Sequence, residues 1–335
     1  MNKMVNLNEV ESSLSTVLND FREIKNSDTA KKIYEEIDLG VKNALADPKE
    51  YKKLLLYSSK LSDYSFRNQM LLYLQMTPEQ KSLPLVNSFS EWKKQNVSIN
   101  KGSRAMAIVA PRTFKAFERA GRIISVLKAT NDEKTLIANG TIPTIVKKGF
   151  SYSFSVFHVQ NTNANIDDMI KREDIKSTLT DEQKEKIFNH LKNIIEAKGT
   201  PIVEKDLLLL ASGTAQIKAE HKITLNTRNT LEENITTLLH EFVHDALHFD
   251  KKITSIEDVE IQAESISYMI SRNLGLKNES SFEYLANWSS EKSTQQLGEN
   301  MQTILEGYRN VKDTLAYDEL LLKNDTYENE EYEME

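Results

Sequence analysis

The sequence predicts an α+β protein of two domains followed by an acidic tail. The chain has 335 residues, 39% of them hydrophobic, which is enough for two domains of ordinary size. Segments of strand character cluster between residues 105 and 159, and helical periodicity dominates most of the rest. Residues 161–179 are polar and hold no period, so we expect a linker there. The expected domains therefore span residues 1–165 and 166–323, and we expect the tail, residues 324–335, to be disordered.

The N-terminal half is expected to begin with helices and to continue with strands. The spacing of apolar residues predicts helices within residues 7–45. A further helical stretch is predicted over residues 49–76, ended by Pro78. Residues 128–150 are polar and carry two glycines and one proline, so we interpret them as an insertion or long loop. Short strands are predicted over residues 105–110, closed by Pro111, and over residues 121–127 and 152–159.

The C-terminal half is expected to combine helices with two short strands. Thr180 and Gln183 form a capping box, and Gly199 is a helix stop, so a helix is predicted over residues 181–198. Strands are predicted over residues 207–210 and 222–225, and a closing helix over residues 300–323.

The most informative motif is His240-Glu241-Phe242-Val243-His244, which has the pattern H-E-x-x-H. Apolar residues around it recur at helical spacing, and Thr230 with Glu233 forms a capping box at the expected helix start. Two histidines four residues apart on a helix lie on one face, so both imidazoles can reach one ion. The alternative is a buried helix whose histidines only form hydrogen bonds.

A third metal ligand is needed, because catalytic zinc usually has three protein ligands and one open position. His248 is excluded as a partner of His240, since eight helical residues span about 12 Å. Glu260 and Glu264 lie one turn apart on the next predicted helix. One of them is expected to bind metal and the other to orient a ligand histidine, unless both are ordinary surface glutamates.

Glu241 is the expected catalytic residue. Beside a zinc ion, a glutamate in this position can take a proton from the attacking water and return it to the leaving amine of a peptide. The sequence does not indicate which residue would donate a hydrogen bond to the developing oxyanion. Tyr268, Tyr284 and His248 are candidates, and packing is the alternative role for each.

A basic segment in the N-terminal half is a candidate for contact with nucleic acid. Residues 81–122 contain nine basic and two acidic residues, a local balance of +7 in a chain of net charge −7. Four aromatic residues, Phe89, Trp92, Phe114 and Phe117, interleave with the basic ones, as single-stranded DNA binding requires. A core stripe formed by Phe89 and Trp92, three residues apart, and a merely solvated basic face are the alternatives.

Composition narrows the function classes further. The chain has no cysteine, which excludes disulfides, thiolate metal sites and cysteine nucleophiles. No apolar run is long enough for a transmembrane span, and the N-terminus lacks the apolar core of a signal peptide. We therefore expect a cytoplasmic protein that has no membrane partner.

The C-terminal half resembles the zincin-like metallopeptidase domain of ArdC-like antirestriction proteins. The resemblance rests on the segments around the H-E-x-x-H motif, on residues 259–268 and on residues 281–288. The related ImmA/IrrE-type metallopeptidases share a glutamate three residues before an alanine, which matches Glu260 and Ala263. The resemblance therefore implies a zinc ion bound by His240, His244 and Glu260, with Glu264 as the orienting residue.

The N-terminal half resembles the single-stranded-DNA-binding domain of the same family. The matching segments are residues 64–72, 86–93 and 97–104. Residues 157–162 depart from the family pattern at His158 and Asn161, so no role is transferred to them. The resemblance implies DNA contacts, which we expect from Arg67, Trp92, Lys93, Lys101 and Arg104.

The resemblance implies an antirestriction-type protein of a mobile genetic element, which binds single-stranded DNA and hydrolyses a protein or peptide substrate. One alternative is a non-proteolytic protein that occludes DNA and in which zinc is structural. Another is a regulatory protease that cleaves a repressor.

Overall fold

The computed structural model describes residues 47–166, 179–207, 213–215, 222–248, 255–278, 285–290 and 292–316, together with residues 40, 42, 45 and 282. Helices and strands are mixed, as the sequence predicts. Most of the helical stretch predicted within residues 7–45 lies outside the described residues, as does the predicted acidic tail.

The chain divides into two compact units. The sheet unit comprises residues Val86–Ala164, and the helical unit comprises residues before and after it. The sheet unit ends at Ala164, and the residues up to Leu85 group with the C-terminal half, so the two units are not the sequence domains 1–165 and 166–323.

Three N-terminal helices belong to the helical unit: α1 (Pro48–Lys60), α2 (Phe66–Gln75) and α3 (Pro78–Ser82). The sequence predicts a single helical stretch over residues 49–76, and the structure breaks it once, between α1 and α2. Polar contacts, one buried and one partly buried, join these helices to the C-terminal half. The Tyr51 hydroxyl lies 2.7 Å from Ser265 Oγ, and the Phe66 amide donates to Gln302 Oε1 at 2.9 Å. The apolar faces of α1 and α2 are therefore buried against C-terminal helices.

The sheet unit is built on one four-stranded antiparallel sheet of order β1-β4-β2-β3. Its strands are β1 (Val86–Ser88), β2 (Met106–Arg119), β3 (Arg122–Ser125) and β4 (Ile145–His158), and α4 (Phe89–Lys94) follows β1. The predicted strand end at Pro111 is wrong, since β2 continues through it. In the described part of the chain β3 pairs only with residues 116–119 of β2, so no strand there covers that edge of β2 at Pro111, and the missing N–H can face it.

The long loop predicted over residues 128–150 is also wrong. This segment contains α5 (Asn131–Ala138) and the first residues of β4. A capping box formed by Thr130 and Glu133 starts α5, with both reciprocal hydrogen bonds present. The turn between β2 and β3 has two residues of positive φ, Ala120 and Gly121, which suit a tight hairpin.

The helical unit contains a small sheet of order β5-β7-β6 and a group of long helices. The predicted helix after Thr180 is confirmed as α6 (Asp181–Ala197), and the predicted strand 222–225 as β7 (Ile223–Asn226). Three of the four residues of the strand predicted over 207–210 lie outside the described residues, and β5 (Ile202–Lys205) and β6 (Gly213–Ala215) were not predicted. The remaining helices are α7 (Leu231–His248), α8 (Ile256–Asn273), α9 (Leu285–Ser290) and α10 (Thr294–Thr314).

Gly307 lets α10 approach α7 and α8 closely. A Cβ atom at this position would lie 2.6 Å from Ile266 Cδ1 and 2.7 Å from Leu247 Cδ1. Both distances are too short for carbon atoms, so a side chain at position 307 would force the ends of the Ile266 and Leu247 side chains to move.

Candidate functional site

Helix α7 carries the H-E-x-x-H motif as the sequence predicts. The Thr230 amide donates to Glu233 at 2.7 Å, and the Glu233 amide donates to Thr230 Oγ1 at 3.3 Å, so the capping box is confirmed. The apolar face of α7 is buried. The two histidines lie one turn apart, with 3.0 Å between His240 Nε2 and His244 Nε2. Local helix geometry therefore aims both imidazoles at one point.

Helix α8 places the carboxylate of Glu260 beside the two imidazoles. One carboxylate oxygen of Glu260 lies 3.6 Å from His240 Nε2, and the other lies 3.6 Å from His244 Nε2. The three possible ligand atoms lie within 4.8 Å of one another, so this group could hold a metal ion. The site is open on one side, because the Glu260 side chain is 49% exposed whereas that of His244 is 5% exposed.

The charges around this group favour a cation. Hydrogen bonds from His240 and His244 hold the pKa of Glu260 well below its usual range. Burial alone would lower the pKa of His240, but the Glu260 carboxylate and the charges of Glu241 and Glu264 outweigh it and raise that pKa. The imidazoles therefore face a concentration of negative charge.

Two nitrogens and one carboxylate oxygen form a donor set that suits zinc and several other divalent ions. Three converging donors with one open side leave a position for water or substrate. His248, rejected by the sequence analysis, does not belong to the group found among the described residues, and its ring lies 5.8 Å from that of His244. The residues present therefore fit a divalent metal ion.

Glu241 and Glu264 flank the metal group. Glu241 is buried, only 9% exposed, and its charge raises the pKa of the neighbouring His240. Glu264 lies one turn after Glu260, and its charge reaches both His240 and the buried Tyr51. Within the described part of the chain, no hydrogen-bond partner reaches Nδ1 of His244. The orienting role expected of Glu264 therefore stays a prediction.

Of the residues considered as oxyanion donors, Tyr268 and His248 are buried, and Tyr284 lies outside the described residues. Burial raises the pKa of Tyr268, which keeps its hydroxyl protonated as a donor would have to be.

The sheet unit concentrates positive charge. Residues 86–164 contain 12 basic and 4 acidic residues, a balance of +8, while the rest of the chain contains 31 basic and 46 acidic residues, a balance of −15. The unit also carries six of the seven large apolar side chains that are exposed in the described part of the chain. Only one of these six, Phe89, is aromatic, and exposed cations beside an exposed aromatic ring are what base stacking on a basic surface needs.

Trp92 does not belong to this surface. Its side chain is 1% exposed, and its indole N–H donates to the Phe157 carbonyl oxygen at 2.9 Å. An enclosed ring cannot stack on a base, so the expected DNA contact is corrected to a core role. Phe117 is buried as well, whereas Phe89 is exposed and Phe114 half-buried.

The expected phosphate contacts divide between the units. Lys93, Lys101 and Arg104 are exposed in the sheet unit, whereas Arg67 is exposed on α2 of the helical unit. Lys147 and Lys148 are two further exposed cations of the sheet unit, on β4. The sequence analysis missed them because they fall in the segment interpreted as a loop.

Residues 25–157 match the family model of the N-terminal domain of anti-restriction factor ArdC. This ArdC segment contains α1 to α3 of the helical unit and nearly all of the sheet unit. It ends before α7, so the metal group lies outside the match. The family resemblance drawn from the sequence is confirmed for this segment.

Other comparisons extend along more of the chain. The chain is 25% identical over 293 residues to an uncharacterized protein of Bacillus anthracis, covering 82% of this chain and 49% of that protein. The chain thus spans about half the length of the curated relative it matches.

Two solved structures of the antirestriction ArdC protein from the R388 plasmid are also similar. The metal-free structure has a TM-score of 0.43 and 14% identity, covering 76% of this chain and 86% of that one. The Mn(II)-bound structure has a TM-score of 0.39 and 15% identity, covering 78% and 86%. Separately, no helix in the described part of this chain is long and apolar enough to cross a membrane.

Proposed function

We propose that this chain is an antirestriction-type protein that binds single-stranded DNA through its sheet unit and hydrolyses peptide bonds at a zinc ion held by the helical unit. The observation that carries the first part is the basic sheet unit within an acidic chain, in a segment that matches the ArdC N-terminal domain. The second part rests on the converging donors of His240, His244 and Glu260, with Glu241 beside them.

Single-stranded DNA is the preferred nucleic acid for a physical reason. The sheet unit presents exposed cations together with Phe89, which is 59% exposed, and the half-buried Phe114. Unpaired bases can stack on such rings, while bases inside a duplex cannot. A strand covered in this way would be shielded from nucleases, which is how DNA binding would serve antirestriction.

A zinc ion, when bound, would polarise the scissile carbonyl and lower the pKa of water. Glu241 would then accept a proton from the attacking water and donate it to the leaving amine. His240 and His244 would fix the ion beside Glu241, because all three side chains project from adjacent turns of α7. The open side at Glu260 would admit an extended peptide.

The open geometry favours a catalytic site over a structural one. Structural zinc sites are closed by four protein ligands, whereas catalytic sites have three and keep one position open. Within the described residues, the group has three members and a half-exposed carboxylate. We therefore prefer hydrolysis over DNA occlusion by an inert protein.

The test compares wild-type protein with Glu241→Gln. The variant is expected to retain zinc and the melting temperature but to lose cleavage of a quenched fluorescent casein, because an amide cannot accept the proton. Both proteins should bind an oligothymidylate in preference to duplex DNA, with or without zinc. Equal cleavage by both proteins would contradict the role of Glu241. Absence of cleavage by wild-type protein, with and without DNA, would leave the occluding alternative, and preference for duplex DNA would point to the repressor-cleaving one.

A further inference from the structure

The outer part of the β2–β4 pair forms a two-stranded ribbon with a distinctive face. Phe114 pairs with Lys147 and Arg112 pairs with Gly149. Directly opposed residues of antiparallel strands share a face, and so do residues two apart on one strand. Arg112, Phe114 and Lys147 therefore lie on the same face of the ribbon, together with Gly149.

Gly149 leaves room for the Phe114 ring on this face. A Cβ atom at position 149 would be 3.0 Å from Phe114 Cε1 and 3.7 Å from Cδ1, so an edge of the ring occupies space beside the glycine that a larger residue would need. The Phe114 side chain is only half-buried, so part of it faces solvent. Filling the space beside a strand glycine is a structural role in itself, but it also restricts the position of a ring that a base could stack on.

Both faces of the ribbon carry cations, two of them on the face of Phe114. Arg112 and Lys147 are exposed on the same face, and Lys115 and Lys148 are exposed on the other face of the same ribbon. Within the described part of the chain, no carboxylate forms an ion pair with any of these four residues. Their charges are available to an anionic partner.

We propose that Phe114, Arg112 and Lys147 form a subsite for one nucleotide of single-stranded DNA. The base stacks on the outer side of the Phe114 ring, and the adjoining phosphates contact Arg112 and Lys147. This inference rests on the proposed DNA binding and names its stacking residue, a role that the sequence analysis had given to the buried Trp92. Stacking on a ring and contact with phosphates are both independent of base identity, so the subsite should show little sequence preference.

The direct test is Phe114→Trp in the full chain, with oligothymidylate as the probe. The two native tryptophans, Trp92 and Trp288, are buried, so DNA should change their fluorescence little. Position 114 is half-buried, so the introduced indole should remain partly accessible, and a base stacked on it should quench its emission. We expect oligothymidylate to quench the fluorescence of this variant more than that of the wild-type protein. The quenching should saturate at the same DNA concentration as binding measured by anisotropy.

Two variants separate stacking from stability. Phe114→Leu retains an apolar cover over Gly149 but removes the ring, and should weaken binding by about 5-fold or more, since a stacked base is worth about 1–3 kcal/mol. Gly149→Val should weaken binding similarly, because its side chain displaces the ring without changing any charge. Melting temperatures of all variants identify any that lose the fold.

The charge contribution has a matched control. Arg112→Gln with Lys147→Gln should reduce affinity more than Lys128→Gln with Lys134→Gln, which removes the same charge from the segment between β3 and β4.

If wild-type protein binds oligothymidylate while the indole is not quenched and Phe114→Leu binds normally, the subsite is overturned and the proposed DNA binding stands. If wild-type protein binds no single-stranded DNA, both fail.

Discussion

At the scale of single residues, the metal group combines one enclosed and two accessible side chains. His244 is almost fully covered, whereas His240 and Glu260 reach the surface. The histidines are fixed by one helix, but Glu260 reaches them from another. The carboxylate is therefore the ligand whose position depends on the packing of α7 against α8.

Alanine substitutions around the proposed metal position should weaken zinc binding to different extents. We expect His240→Ala to abolish binding and Glu260→Ala to weaken it by more than about 100-fold, because each removes a ligand atom. Glu264→Ala should weaken it by about 10- to 100-fold if this residue orients a ligand, and His248→Ala should have the smallest effect. Calorimetric titration with zinc, with melting curves as the control for folding, measures the order. Equal losses for Glu264→Ala and Glu260→Ala would contradict this assignment of ligand and orienting residue, and a larger loss for Glu264→Ala would mean that the two are interchanged.

The sequence alone predicts the two histidine ligands more reliably than it predicts which carboxylate joins them. The helical period fixes the relative position of His240 and His244, so their convergence follows from spacing. Glu260 and Glu264 share a face of α8, and only the packing of two separate helices decides which one faces the histidines. Trp92 shows that the sequence pattern does not decide whether an aromatic residue is buried. A residue three positions from Phe89 can face the core or the solvent, and the local pattern is the same in both cases.

At the scale of elements, α5 shows how a polar segment can still be ordered. Glu133 has two partners, since it accepts from Arg119 Nε at 2.6 Å and from the Thr130 amide at 2.7 Å. These hydrogen bonds, the one from Arg119 first, lower the pKa of Glu133 to about 2. The capping signal at Thr130 was readable in the sequence, but the ion pair with β2 that anchors the helix joins residues on different elements.

The Glu133 contacts predict a pH dependence of stability. A carboxyl whose pKa falls from 4.5 to about 2 on folding stabilises the protein above pH 4.5 and loses that contribution as the pH falls towards 2. Glu133→Gln should therefore lower the melting temperature at neutral pH, and the difference from wild type should vanish near pH 2. Circular dichroism melts across this range test it, with Glu118→Gln as a control of equal charge change. An undiminished difference at pH 2 would contradict this account.

Two glycines of α10 should respond in opposite ways to alanine. A methyl group added at Gly298 would meet no neighbouring atom within 4 Å, so Gly298→Ala should stabilise the helix by about 0.5–1 kcal/mol. At Gly307 the same methyl group would collide with Ile266 and Leu247, and overpacking of this kind costs about 1–3 kcal/mol. Denaturant unfolding of both variants gives the comparison. A stabilising Gly307→Ala would show that α10 does not need the close approach.

At the scale of the whole molecule, sequence order and structural grouping diverge. The ArdC segment is continuous along the chain, yet its first three described helices pack in the helical unit. Nothing in the composition of α1 to α3 signals this, because an apolar helix face does not specify which partner covers it. Charge is the property that follows the structural division, since the basic residues concentrate in the sheet unit.

This segregation of charge predicts the salt dependence of DNA binding. Each phosphate neutralised on a single strand adds about 0.7 to the slope of log affinity against log salt concentration, because counterions are released. If Lys93, Lys101 and Arg104 all contact phosphates, replacing the three by glutamine should flatten the slope by about 2.

The matched control for this experiment replaces Lys60, Lys198 and Lys205 of the helical unit, which changes the net charge equally. Long-range attraction depends on net charge, so both triple variants should lose some affinity at low salt. Only contact residues reduce the number of counterions released, so the slope should flatten in the first variant and stay near the wild-type value in the control. Fluorescence anisotropy with oligothymidylate over a salt series measures both slopes. Equal flattening in the two variants would show that DNA does not bind at Lys93, Lys101 and Arg104, and would leave the ribbon around Phe114 as the contact surface to be tested.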